Sequence, residues 1–322
     1  LFLPWWEEDI PWGIDKIFEE ESGNPDVPPP NYFPPIIHEI CIIDSGYEVS
    51  HPDLPSGARA ADFGQSNVNN ADEYFGKDTC GHGSHVAGTV LASDNNRGVL
   101  GVFPGAASLI VKVFHGFSCA WTYRSGLTKA VEECVDKGAK IISMSLGGPY
   151  SSNSEKSMFE RLYEDEGVLI IAAAGNDGDS SMSYPASYEK VMSVGATDVR
   201  DRIASFSQYN TQVDISAPGV DVRSTVGNGY KSYSGTSMAT PHVAGVALLL
   251  WNKFPNCSNK KIRQALEAGV DDLGSPGRDN YFGHGLLKYW KAAKYLENSS
   301  CGVSCGDSNP CICGSAEVKQ ND

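Results

Sequence analysis

Gly235-Thr236-Ser237-Met238-Ala239 sets a serine between small residues at the head of an apolar run that continues past Pro241, His242 and Gly245. A serine hydroxyl is a poor nucleophile at neutral pH. It needs a base to take its proton and an acid to hold that base in the correct tautomer. Two upstream segments contain those residue types: Ile42-Ile43-Asp44-Ser45-Gly46 and Gly81-His82-Gly83-Ser84-His85-Val86-Ala87-Gly88. Singly, each residue has a plainer use, since Asp-Ser-Gly is turn chemistry and histidines are common in cores. Jointly, Asp44, His82 and Ser237 supply acid, base and nucleophile, in motifs too long for coincidence. His85 and His242 lie near the same motifs. The metalloprotease spacing, two histidines four apart with an adjacent glutamate, is missing, so both read as satisfied helix histidines.

Residues 36–43, 107–113, 141–146, 168–173 and 191–196 are apolar runs of strand length, separated by helical patterns such as 127–137 and 157–164. Strands alternating with helices predict an α/β fold with a doubly wound, mostly parallel sheet covered by helices on both faces. In such sheets ligands collect beyond the carboxyl ends of the strands, and Asp44 and Asn176 both fall where a predicted strand ends. Ser237 opens a helix running toward Trp251, with Pro241 in its first turn and the positive helix end near the hydroxyl. The prolines of 24–35 block helix and central strand and mark a surface loop ahead of the first core strand.

The 322 residues read as one catalytic domain, 1–297, with a Cys-rich tail, 298–322, containing Cys301, Cys305, Cys311 and Cys313. The tail is too short and polar for a core of its own, which predicts a disulfide-tied or disordered appendage rather than a zinc site. Nine cysteines point to an oxidising compartment, and their odd number leaves at least one without a partner in the chain. A net charge of −15 argues against nucleic acid, because a phosphate backbone needs a basic footprint, and is compatible with protein substrates. No apolar run reaches bilayer length and the first residues lack a signal-peptide pattern, so a mature fragment without a membrane partner is expected. Asn256-Cys257-Ser258 and Asn298-Ser299-Ser300 are glycosylation sequons.

At Asp44, His82 and Ser237, taken in that chain order, the sequence resembles the subtilisin-like serine proteases, most closely the branch containing proteinase K and aqualysin. Ala172-Ala173-Ala174-Gly175-Asn176, Tyr184-Pro185-Ala186-Ser187 and Ala204-Ser205-Phe206-Ser207 extend the resemblance, which covers about 11–287. It implies a secreted serine endopeptidase of broad specificity that works through an acyl-enzyme and is restrained by its own prosegment before maturation. The alternatives are a narrow processing protease and, from another class, a catalytically silent binding scaffold. Asparagine at 176 departs from the aspartate of the dibasic-specific branch, which disfavours the processing role.

The same resemblance assigns further residues. The Asn176 amide and the Ser237 backbone N–H would stabilise the oxyanion. An extended peptide would pair with Ser145-Leu146-Gly147-Gly148, with the stretch near His115-Gly116-Phe117-Ser118 on its other side. The first specificity pocket would lie between Leu146-Gly147-Gly148 and Ala173-Ala174-Gly175, with its far wall near Ser183-Tyr184 and Asp177 at its rim; small walls imply large apolar or aromatic substrate side chains. Structural calcium would be held by Glu8, Asp53, the Asn95 side chain and the carbonyls of Ser93, Arg97 and Val99. Asp214, with carbonyls near Glu189 and Val191, would form a weaker second site. Cys80 and Cys119 are the candidate disulfide.

Overall fold

The computed structural model describes residues 8–19, 33–61, 74–121, 126–299 and 301. Its first half contains α1 (Trp12–Phe18), β1 (Ile40–Asp44), β2 (Arg59–Ala60), α2 (His82–Leu91), β3 (Ser108–Lys112), β4 (Phe114–His115) and β5 (Ala120–Trp121). Next come α3 (Gly126–Asp136), β6 (Ile141–Met144), α4 (Asn153–Glu164), β7 (Leu169–Ala173), β8 (Val191–Thr197) and β9 (Val213–Pro218). The hairpin β10 (Val222–Val226) and β11 (Gly229–Tyr233) precedes α5 (Thr236–Lys253), α6 (Asn259–Ala268), β12 (Val270–Asp271), β13 (Leu286–Leu287) and α7 (Tyr289–Glu297).

Nine strands form one sheet in the order β12-β13-β9-β8-β7-β6-β1-β3-β2. All its pairings are parallel except β12 with β13. Both faces of the sheet are covered, which is why its strands read as unbroken apolar runs. In β1, Ile40 and Ile42 join the core under α2 and α5, while Cys41 and Ile43 point into the opposite core under α3 and α4. The period of two along a strand therefore serves two cores. Cys41–Cys134 bolts β1 to α3 within the second core.

The first strand is shorter than the apolar run 36–43. Ile36 and Ile37 are exposed, and the backbone N–H groups of Ile37 and His38 donate to the Asn252 side chain on α5. Strand pairing starts at Ile40, where Ser108 and Ile141 lie alongside. Likewise β6 ends at Met144 instead of running to residue 146, and α4 begins earlier than 157 because Ser152 caps it, its hydroxyl accepting from the Glu155 N–H. Cys257–Cys301 ties the beginning of the tail to the domain. The remaining tail cysteines, Cys305, Cys311 and Cys313, and most of the proline loop 24–35 lie outside the described residues.

Candidate functional site

Asp44 is the last residue of β1 and is fully buried. His82 is the first residue of α2, and the two elements meet because Gly83 has no side chain: a Cβ there would sit 2.3 Å from the Gly46 carbonyl oxygen. His82 Nδ1 lies 2.7 Å from Asp44 Oδ1, which also accepts from the Ser45 N–H at 2.7 Å. With Nδ1–H donating to the carboxylate, the lone pair of the ring resides on Nε2. The imidazole keeps a quarter of its side-chain surface, 25 %, open to solvent. Burial pulls its pKa down, but the charge and hydrogen bond of Asp44, with the charge of Asp78, outweigh that and raise it above the ordinary histidine value. Asp44 Oδ2 is buried without a partner, so its charge is left for the imidazolium.

Ser237 is the second residue of α5, behind Gly235 and Thr236, where backbone N–H groups lack intrahelical acceptors. Pro241 lies inside α5 beyond its first turn, a correction to the sequence expectation. Lacking an N–H, it cannot bond the carbonyl four residues back, that of Ser237. The Ser145 hydroxyl takes the vacancy, donating to Ser237 O at 2.8 Å. The Ser237 hydroxyl in turn donates to the Ser145 carbonyl at 3.2 Å. In this geometry the Ser237 hydroxyl is bonded to Ser145 and not to His82.

Asn176 follows β7 across the tight turn at Gly175, whose φ is +112°. Its Oδ1 accepts from Thr236 N at 2.8 Å and from Thr236 Oγ1 at 2.9 Å. Thr236 thus pins the carbonyl end of the amide and leaves the NH2 end as a donor next to Ser237. Sequence reasoning missed Thr236 as this anchor, although it stands beside the serine in the motif.

A cavity of about 330 Å³ opens beside Ser237, walled by Leu146, Gly147, Gly148, Ala173 and Gly175. Asp177, Met182, Ser183 and Gln208 complete it. Three expectations change in detail. Ala174 is buried behind the wall, its N–H donating to Val194 O at 3.0 Å. Tyr184 lines a neighbouring cavity of about 560 Å³ with Phe114, Leu146 and Glu155. Gly148 exchanges both backbone hydrogen bonds with Tyr184, at 2.9 and 2.7 Å, so it cannot also pair with a peptide. Backbone groups of successive extended residues point to opposite edges, which turns Gly147 and Ser145 toward the open side. The β4–β5 hairpin carries the stretch at 115–118, with Phe117 91 % exposed, and Cys119 pairs with Cys80 next to His82, as the resemblance implied.

The subtilase family model matches residues 38–285. The chain belongs to the subtilase family. It is 40 % identical to subtilisin DY of Bacillus licheniformis over 261 residues, 80 % of this chain and 90 % of that one. With the thermostable alkaline protease of Halalkalibacterium halodurans it shares 38 % identity over 288 residues, 89 % of this chain and 74 % of the relative. The crystal structure of a psychrophilic subtilisin-like protease, Apa1 from the Antarctic psychrotroph Pseudoalteromonas sp. AS-11, matches with a TM-score of 0.78 at 29 % identity, covering 92 % of this chain and 99 % of that one. This subtilase is a serine endopeptidase, and proteins or peptides are its substrates.

Away from the cleft, the subtilase gathers oxygen atoms around the loop at 93–99. Fully buried Asp53 accepts from Asn95 Nδ2 and from Val99 N, each at 2.9 Å, and Glu8 Oε1 accepts from Asn95 N at 3.0 Å. Burial, with the charges of Asp94 and Asp53, pushes the Glu8 carboxyl above its usual range, and burial does the same to Asp53. Asn95 Oδ1 is buried with no partner. Clustered acids and an orphaned amide oxygen fit a hard cation. Among the described residues no three His, Cys, Asp or Glu side chains suffice for a metal on their own, so amide and main-chain oxygens must complete the set.

Asp214 is not available for such a role. Its Oδ2 lies 3.0 Å from Arg263 and accepts from Ser193 N at 2.9 Å, while Oδ1 lies 3.4 Å from Arg278. Two guanidinium groups supply the positive charge that calcium would have brought, which corrects the expectation of a second site there. His85 and His242 are core histidines, their Nε2 and Nδ1 bonded to the carbonyls of Val222 and Met238 respectively. Among the described residues no helix is long and apolar enough to cross a membrane.

Proposed function

We propose that Ser237 is the nucleophile, His82 the general base and Asp44 the residue that orients the base, in a peptidase related to the proteinase K and aqualysin branch. The observation that carries this reading is the 2.7 Å contact between His82 Nδ1 and buried Asp44, at the start of a helix, α2, that packs against α5, the helix whose first turn places Ser237 in the cavity wall. When a peptide enters, the Ser237 hydroxyl turns from Ser145 to His82 Nε2. Oγ bonds to the scissile carbonyl carbon as its proton passes to Nε2, and Asp44 stabilises the imidazolium. Negative charge on the carbonyl oxygen meets the Asn176 amide and the Ser237 N–H. The tetrahedral adduct collapses, the amine leaves with the proton from Nε2, and water repeats the sequence on the acyl-enzyme.

The substrate lies extended along Ser145 and Gly147, with the β4–β5 hairpin on its other side and a large apolar or aromatic side chain in the first cavity. Calcium is the structural ion, and Glu8, Asp53, Asn95 and the carbonyls of Ser93, Arg97 and Val99 would hold it. When bound it supplies positive charge that joins the first described segment to the 93–99 loop. Residues 1–297 form the peptidase domain and 298–322 a tail. Secretion and inhibition by the enzyme's own prosegment complete the reading, supported by the disulfides. A serine-directed phosphonate tests the core of it: one equivalent should attach at Ser237 and abolish hydrolysis of an unfolded protein. Labelling elsewhere, or full activity after labelling, would sink the assignment.

A further inference from the structure

Asp78 stands in the loop before α2, only 4 % exposed, and among the described residues no cation pairs with it. An unpaired buried carboxylate is costly unless hydrogen bonds replace its water. Asp78 has that replacement. Oδ1 accepts from Ser45 Oγ at 2.9 Å and from Gly81 N at 2.8 Å, and Oδ2 accepts from Ser84 N and Ser84 Oγ, each at 2.7 Å. Ser45 Oγ, its hydrogen committed to Asp78, accepts from Gly83 N at 2.7 Å. The N–H groups of Gly83 and Ser84 belong to the first turn of α2, which has no acceptors of its own for them. Ser45 N–H reaches the same Asp44 oxygen that meets His82. The bonds form a closed circuit from Asp44 through Ser45 and Asp78 to the helix start, and through His82 back to Asp44.

We propose that Asp78 is a positioning residue of the catalytic centre, a buried carboxylate that clamps the turn carrying Asp44 to the first turn of the helix carrying His82. A neutral cap would satisfy the helix end; a carboxylate also accepts from four donors at once and places a second negative charge near the imidazole. The other titratable groups around His82 do not compete. His85, stacked on Tyr233, is pushed down to about 4 by burial and is neutral when the enzyme works. Lys112, whose stem packs beside Gly46, donates its Nζ to Lys77 O, and Lys77 pairs with Glu48. This inference rests on Asp44, His82 and Ser237 being the triad.

The test is Asp78→Asn, assayed per active site by phosphonate titration. Misplacing a base costs turnover more than binding, so kcat should fall about ten- to hundred-fold with KM nearly unchanged. The acid-side midpoint of kcat/KM should move to lower pH, because a charge that favours the imidazolium is gone. A folded variant with the parent kcat and midpoint, changed only in melting temperature, would reduce Asp78 to a helix cap and overturn the proposal. Ser45→Ala removes the link to the Asp44 turn while leaving the Asp78 bonds to Gly81 and Ser84. It should lower kcat, with a melting temperature lowered by the Gly83 N–H left without its acceptor, and combining it with Asp78→Asn should cost less than the two kcat losses multiplied. If Asp78→Asn does not fold, parent kcat in Ser45→Ala alone overturns the clamp. Ser237→Ala, run alongside, separates the two readings: hydrolysis surviving there removes the triad, whereas hydrolysis lost there with full turnover in Asp78→Asn removes only Asp78.

Discussion

Asp44 and Asp53 are both fully buried and lie close in sequence, yet their surroundings are opposite. Asp44 faces a group able to become cationic: one oxygen holds His82 and the other has no partner. Asp53 faces backbone, amide and phenol donors, with the His51 ring accepting from its backbone N–H and Glu8 adding like charge. A buried carboxylate needs compensation in either case. At Asp44, on the proposed mechanism, the compensating charge would be made by proton transfer to His82 during turnover. At Asp53 the proposed calcium would supply it, so the proposed roles assign one aspartate to chemistry and the other to a cation.

Charge removal at the two aspartates should therefore act on different observables. Ser237→Ala should abolish hydrolysis and phosphonate labelling, and Asp44→Asn should lower kcat about 10⁴-fold by losing the tautomer that presents Nε2. Asp53→Asn should leave kcat near the parent value at low temperature. Equal losses of kcat in the two asparagine variants, read by active-site-titrated kinetics, would erase the distinction.

Asn176→Ala comes next, with turnover lower by about 10²- to 10³-fold and KM little changed. Near-full turnover in this variant would remove Asn176 from the oxyanion site.

Calcium removal should act on the Asp53 side alone. A hundredfold excess over Kd stabilises the folded state by about 2.7 kcal/mol, on the order of 4 °C in melting temperature for a chain of this size. Calorimetry in excess chelator and in excess calcium checks this, with cleavage in the 93–99 loop as a second readout. Identical melting curves would remove the cation from the scheme.

Acid separates the two regions more finely. Activity should fall through a single titration whose midpoint lies above the ordinary histidine value of 6.5, because Asp44 raises His82. Stability should be lost at lower pH and for another reason. His85 and His242 are buried neutral, each depressed from 6.5 to about 4. The unfolded chain binds their protons first, so stability is present above about 6.5 and declines as pH falls toward about 4. Each histidine contributes on the order of 3 kcal/mol across that window. Paired pH profiles of kcat/KM and melting temperature should show activity failing first; coincident midpoints would mean that acid inactivation is unfolding.

Much of this was legible in the residues alone. Apolar runs of strand length alternating with helices determined the parallel sheet, because a strand buried on both faces must be apolar throughout. Motif length and order determined where Asp44, His82 and Ser237 lie, since acyl transfer needs those three residue types. Contacts between distant segments were decided only by the tertiary structure. Thr236 holds Asn176, Ser145 replaces the hydrogen bond that Pro241 forfeits, Tyr184 occupies Gly148, Arg263 and Arg278 take Asp214, and Asp78 joins two motifs. Hydrogen-bond partners depend on which backbone and side-chain donors meet in space, and pairing across the fold leaves no periodicity along the chain for a reader to find.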